Sequence, residues 1–136
     1  MINKRPILLL EDDRVDAMIV ERALRDLKVE NELVIAKNGE EGLKYLRDKK
    51  KHLPGIILLD LNMPRMNGLE FLDIVKKDDQ FKKIPIVVLT TSDEEKDRSA
   101  SYNLGIAGYM TKPVNYPQFV EVLRTITLYW SLSKTP

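Results

Sequence analysis

Cysteine is absent from this chain of 136 residues, which excludes disulfides, thiolate zinc sites and thiol nucleophiles. An excess of one charge is missing too: 22 basic residues stand against 21 acidic ones, in a chain 43% apolar and 32% charged. Binding a nucleic-acid backbone relies on a clustered positive excess, so this ordinary globular balance argues against a nucleic-acid partner. The tight basic run Lys49-Lys50-Lys51 reads as a solvated loop. His52 is the only histidine, and a Ser/His/Asp triad cannot be assembled convincingly around it. Long apolar runs are lacking as well. Met1, Lys4, Arg5 and Pro6 lead only into Ile7-Leu8-Leu9-Leu10, far short of a signal-peptide core or a bilayer span. The expectation is a cytoplasmic protein without membrane contact. The length suits one domain, 1–136, with a core over about 5–130 and a short tail at 131–136, and leaves no room for a second.

Short unbroken apolar runs are present: Ile7–Leu10, Leu33–Ala36, Ile56–Leu59 and Ile86–Leu89. Such runs predict strands covered on both faces, as in a parallel sheet. Between them lie segments with helical spacing, such as Val15, Met18, Ile19, Ala23 and Leu27, or Leu69, Leu72 and Val75, long enough for right-handed crossovers. Asn38 with Glu41, Asn67 with Glu70 and Ser92 with Glu95 place capping side chains three residues before an acid, marking three helix starts. Ile106–Met110 suggests a fifth strand, and after Lys112-Pro113 the side chain of Asn115 can cap a last helix running to about Trp130. The predicted fold class is α/β, a doubly wound (βα)5 parallel sheet.

In an open α/β sheet ligands bind beyond the carboxyl ends of the strands. There the sequence places Glu11-Asp12-Asp13, Asp60, Thr90-Thr91 and Lys112. Any one acid reads equally well as a helix cap or a solvated loop charge, but that does not cover the set. Crowded carboxylates repel one another unless a cation intervenes, and an all-oxygen set without His or Cys suits a hard ion such as Mg²⁺. Asn62-Met63-Pro64 bends the chain after Asp60 and holds that carboxylate at a rim. A carboxylate so placed can attack phosphorus, with Lys112 holding one phosphoryl oxygen and Thr90 hydrogen-bonding another.

The stretches ILLLEDD, LLDLNMP, VVLTTS and GYMTKP resemble, in order and spacing, the motifs of CheY-like response-regulator receivers, over about residues 5 to 130. The resemblance implies a flavodoxin-like sheet of strand order 2-1-3-4-5. It implies that Glu11, Asp12 and Asp60 bind Mg²⁺ through carboxylates, with the Asn62 backbone carbonyl as a further ligand and Mn²⁺ or Ca²⁺ as substitutes. Asp60 is then the phosphoacceptor, Thr90 and Tyr109 are a switch pair, and Lys112 pairs first with the acceptor and then with the phosphoryl group, across a cis bond to Pro113. In that picture the phosphoryl oxygens attract Thr90, vacating space into which the Tyr109 ring turns, and Asp13 lies beside the site. Thr91 stands where many receivers carry Ala, which narrows the entrance. Glu11 replaces the commoner Asp and can reach the ion through a water. Asn62 and Ser92 occupy variable positions expected to influence dephosphorylation. VVLTTS and the aromatic end Tyr129-Trp130 are similar to stand-alone regulators paired with bacterial and cyanobacterial phytochromes.

The function implied is that of a single-domain response regulator, a signalling protein rather than a turnover enzyme, whose output is a change in protein binding. With His52 in the Lys-rich loop, the donor histidine is expected on a histidine kinase, phytochrome-type by the resemblance, or on a phosphotransfer protein, and the output on a separate target. An Asp-dependent phosphatase is the main rival, but such enzymes place a second acid two residues after the nucleophile, where this chain has Asn62. The last helix carries Phe119, Val120, Val122, Leu123, Ile126, Leu128, Tyr129 and Trp130, more apolar surface than one stripe requires. Either the aromatics close the bottom of the core or they anchor a homodimer through this helix and the fourth.

Overall fold

The structure, a computed structural model, describes residues 4–112 and 115–132, with side chains as far as residue 128. Strands and helices alternate along the chain: β1 (Ile7–Leu10), α1 (Arg14–Asp26), β2 (Leu33–Ala36), α2 (Gly39–Arg47), β3 (Ile56–Leu59), α3 (Gly68–Lys76), β4 (Ile86–Thr90), α4 (Glu95–Asn103), β5 (Gly108–Thr111) and α5 (Tyr116–Leu132). The strands form one sheet in the order β2-β1-β3-β4-β5, every pair parallel, as predicted.

Successive strand residues point to opposite faces, so each apolar run feeds two cores. Leu8, Leu10, Ile57, Leu59, Ile86 and Val88 pack with Leu43 and Leu46 of α2 and Phe71, Leu72 and Val75 of α3. Ile7, Leu9, Ile56, Leu58, Val87 and Leu89 pack with Ala17, Val20 and Leu24 of α1 and Phe119, Leu123 and Ile126 of α5. Burial on both faces is why the central runs read as continuous rather than alternating.

Four expectations are corrected. Strand β2 lies at the edge, and Ile35 is 40% exposed because a neighbour covers only one side. Helix α1 rests on the sheet through Ala17, Val20, Ala23 and Leu24, its two alanines allowing close approach. Ile19 and Leu27 flank that contact, whereas Val15 and Met18 are exposed. Strand β5 begins at Gly108 rather than Ile106, because its register with β4 opens at Val87 and Gly108, with Ala107 N–H bonded to the Ile86 carbonyl at 2.8 Å just before it. Helix α4 starts after Glu94 without a side-chain cap, two residues later than Ser92 would cap it; the Ser92 hydroxyl donates to Asp97 Oδ2 at 2.7 Å and accepts from Glu94 N–H at 3.5 Å. The other caps form as expected. Asn38 accepts from Glu41 N–H, Asn67 and Glu70 close a reciprocal capping box, and Asn115 accepts from Gln118 N–H at 3.0 Å.

Candidate functional site

Backbone ladders carry the charged residues to one edge. Glu11 N–H bonds Ala36 O at 2.9 Å, Asp60 N–H bonds Leu10 O at 3.0 Å, and Lys112 N–H bonds Thr90 O at 2.8 Å. Each stands just past its strand and is locked by the adjacent one. The chain then leaves β3 through Leu61, Asn62 and Met63, and α3 returns close enough that Gly68 N–H reaches Leu61 O at 3.1 Å. A Cβ on Gly68 would lie 2.5 Å from the Asp60 carbonyl oxygen and 2.7 Å from Leu61 Cα. Glycine is what permits this approach.

Glu11, Asp12 and Asp60 offer carboxylate oxygens within 4.8 Å of one another. Glu11 and Asp60 are buried while Asp12 is exposed, so the group opens to solvent on one side. An all-carboxylate set of this size suits a hard divalent cation. Asp60 Oδ1 accepts from the Thr90 hydroxyl at 2.8 Å and from Asn62 N–H at 3.1 Å. Its Oδ2 lies 3.3 Å from Lys112 Nζ. Lys112 also donates to Glu11 Oε1 and, at 3.0 Å, to Asp16 Oδ2.

Burial pushes the Glu11 carboxyl up to about 8, Lys112 pulling it down and the neighbouring Asp60 charge adding to the rise. Burial alone would lower the Lys112 ammonium, but its pairing with Glu11, Asp60 and Asp16 outweighs that and holds it above the ordinary lysine range.

Thr90 links the acceptor edge to the next loop. Its oxygen accepts from Ser92 N–H at 3.3 Å, and the Ser92 carbonyl accepts from the Tyr109 hydroxyl at 2.7 Å. A continuous chain therefore runs from Asp60 through Thr90 and Ser92 to Tyr109, whose ring is half-buried. The single Thr90 hydroxyl proton is engaged by the unmodified Asp60 carboxylate.

The residues expected to converge do so: Glu11, Asp12, Asp60, Thr90 and Lys112 share one edge, with Asn62 beside Asp60. Asp13 turns its carboxylate away to cap α1, accepting from Val15 and Asp16 N–H. The bond to Pro113 lies outside the described residues. The sequence does not single out Asp16, which reads as an ordinary acid in the first turn of a helix.

The chain matches the response regulator receiver domain over residues 7–124. It is 36% identical over 128 residues to response regulator Rcp1 of Synechocystis sp., covering 91% of this chain and 87% of that one. Among solved structures, the phosphorylated cyanobacterial phytochrome response regulator RcpA superposes with a TM-score of 0.92 at 36% identity, over 98% of this chain and 99% of the other. The Mn(2+)-bound form of Rcp1 gives 0.89 at 34% identity, over 97% and 99%. A buried carboxylate at a sheet edge, flanked by an acid pair, a hydroxyl and an ammonium, and these matches along most of the chain have one reading: the protein belongs to the receiver-domain family of two-component response regulators.

Proposed function

We propose that Asp60 accepts a phosphoryl group from the phosphohistidine of a kinase or phosphotransfer protein, with Mg²⁺ held by Glu11, Asp12, Asp60 and the Asn62 backbone carbonyl. The observation that carries this reading is the division of the Asp60 carboxylate between the Thr90 hydroxyl and the Lys112 ammonium, inside a carboxylate set open on one side. Asp60 forms the new P–O bond as the P–N bond of the donor imidazole breaks, and the electron pair stays on that nitrogen, which takes up a proton. The bound ion supplies charge neutralisation for the phosphoryl oxygens. Mn²⁺ and Ca²⁺ substitute in the same oxygen set. Lys112 and Thr90 orient the group and offset its charge. Attack of water on phosphorus breaks the Asp60 O–P bond, releases inorganic phosphate and restores the resting carboxylate.

The signal then travels along Thr90, Ser92 and Tyr109. The phosphoryl oxygens draw the Thr90 hydroxyl off Asp60 Oδ1, and the space it vacates lets the Tyr109 ring settle inward, on the Ser92 carbonyl. Output is altered binding of a separate protein in the cytoplasm. A phytochrome-type kinase is the favoured donor, supported by relatives described as phytochrome response regulators. A homodimer through α4 and α5 is supported by the exposed Tyr102 and Leu128, while the proposed anchors Tyr129 and Trp130 have side chains outside the described set.

Incubation with Mg²⁺ and a phosphorylated kinase or acetyl phosphate, followed by mass measurement, tests the assignment. One stoichiometric phosphoryl group, absent in Asp60→Asn, is expected. Many turnovers with little retained label would instead indicate a phosphatase.

A further inference from the structure

An ammonium has three protons to donate, and all three of Lys112's are engaged. Glu11 Oε1 takes one, Asp16 Oδ2 lies at 3.0 Å and Asp60 Oδ2 at 3.3 Å. A phosphoryl group arriving on Asp60 brings new acceptor oxygens, which compete for Lys112 with its two partners outside the acceptor, Glu11 and Asp16.

These two differ in what release costs. The Glu11 side chain is 2% exposed, and a buried carboxylate deprived of its donor has no water to take its place. The Asp16 side chain is 35% exposed, so water can replace the ammonium there. Asp16 occupies the third position of α1, where an acid ordinarily reaches back to the N-cap amide. Here Asp13 N–H is instead 3.3 Å from Glu11 Oε2, which leaves the Asp16 carboxylate to Lys112.

Resting on the acceptor role of Asp60, we propose that Asp16 is a positioning residue: it holds Lys112 in the resting protein, competes with the phosphoryl group for it, and is the partner that lets go. Asp16 thereby sets how readily the acceptor edge takes up a tetrahedral anion. It touches no reacting atom and acts through Lys112.

The test is the affinity for beryllium fluoride, a stable phosphoryl mimic, in saturating Mg²⁺, followed by isothermal calorimetry together with the ¹⁵N shift of the Lys112 ammonium. Asp16→Asn is expected to raise the affinity by about two- to fivefold, the range of a partly exposed ion pair, and to shift the Lys112 resonance in the anion-free protein. Asp16→Glu, which can still reach Lys112, is expected to return both to wild-type values. Asp13→Asn keeps the α1 cap and removes one charge from the same helix end. An equal gain in that variant would show a general charge effect and overturn the proposal. An unchanged or weakened affinity in Asp16→Asn would overturn it as well, while leaving Asp60 as the acceptor. Failure of the wild-type protein to bind the mimic with Mg²⁺ would overturn the acceptor reading and this inference with it.

Discussion

The two ends of the sheet differ in a way that cavity size does not reveal. At the amino ends of the strands a recess of about 810 Å³ lies between Lys4, Leu27, Lys28, Val29, Glu30, Glu32, Arg124 and Thr127, with charges of both signs on an apolar floor. At the carboxyl ends the side chains touch one another instead. Glu11, Asn38, Asp60 and Thr90 are buried there, and Lys112 neutralises part of the charge. Burying a charge costs far more than leaving space. The end where the chain accepts that cost is the one to which the proposed phosphotransfer is assigned.

The largest way to break this contrast is to remove the cation. Lys112→Ala leaves Glu11 and Asp60 buried side by side with no positive partner. The expected loss is about 3–5 kcal/mol in metal-free protein at pH 8, measured by urea unfolding. Saturating Mg²⁺ should recover most of it, because the ion takes over the neutralisation. A mutant as stable as wild type in EDTA would mean that the carboxylates are not crowded.

Titration sharpens the same point. The folded Glu11 carboxyl keeps its proton up to about 8 against an ordinary 4.5, so between those values the folded state binds more protons than the unfolded one. Stability therefore falls as pH rises through that window and levels off above it. Each pH unit contributes roughly 1.4 kcal/mol at most. Thermal melts in EDTA from pH 5 to 8.5 should show the decline, Glu11→Gln should flatten it, and Mg²⁺ should oppose it most strongly at the alkaline end.

Much of this site was legible because strand ends are positions the sequence marks twice, by the apolar run and by the residue after it. Asp60 and Lys112 were found that way, without knowledge of the side chains between them. The runs marked the strands, and the strand order came from the resemblance. What escaped was set by helix rotation and competing local bonds. Asp16 lies inside α1, and its meeting with Lys112 depends on which stripe of that helix faces the sheet. Val15 and Met18 suggested a stripe that two alanines displaced. Ser92 looked like a cap, but α4 begins only at Glu95, so the Ser92 hydroxyl stands outside the cap position and binds Asp97.

A smaller effect separates backbone from side-chain control of the acceptor. Gly68→Ala forces a Cβ to within 2.5 Å of the Asp60 carbonyl oxygen, and the obstacle is backbone, so either α3 or the segment after β3 has to shift. The expected cost is about 1–3 kcal/mol. Phosphorylation by acetyl phosphate should slow as the Asp60 carboxylate moves off Thr90. Unchanged phosphorylation with reduced stability would show that α3 yields rather than the acceptor segment.

The smallest prediction concerns the opposite end. Lys28 follows the C-cap of α1 with φ of 61°, a left-handed conformation that costs a residue with a Cβ about 1 kcal/mol and glycine almost nothing. The turn is held by its backbone, since Lys28 N–H bonds Arg25 O and Val29 N–H bonds Leu24 O, each at 3.0 Å, so the side chain is dispensable to it. Lys28→Gly should raise unfolding stability by up to about 1 kcal/mol, partly offset by the greater freedom of glycine in the unfolded chain. Mg²⁺ affinity and phosphorylation should stay at wild-type values, because Lys28 lines the recess at the amino ends of the strands and takes no part in the carboxylate set. A change in Mg²⁺ affinity would couple the two ends of the sheet and erase the division between them.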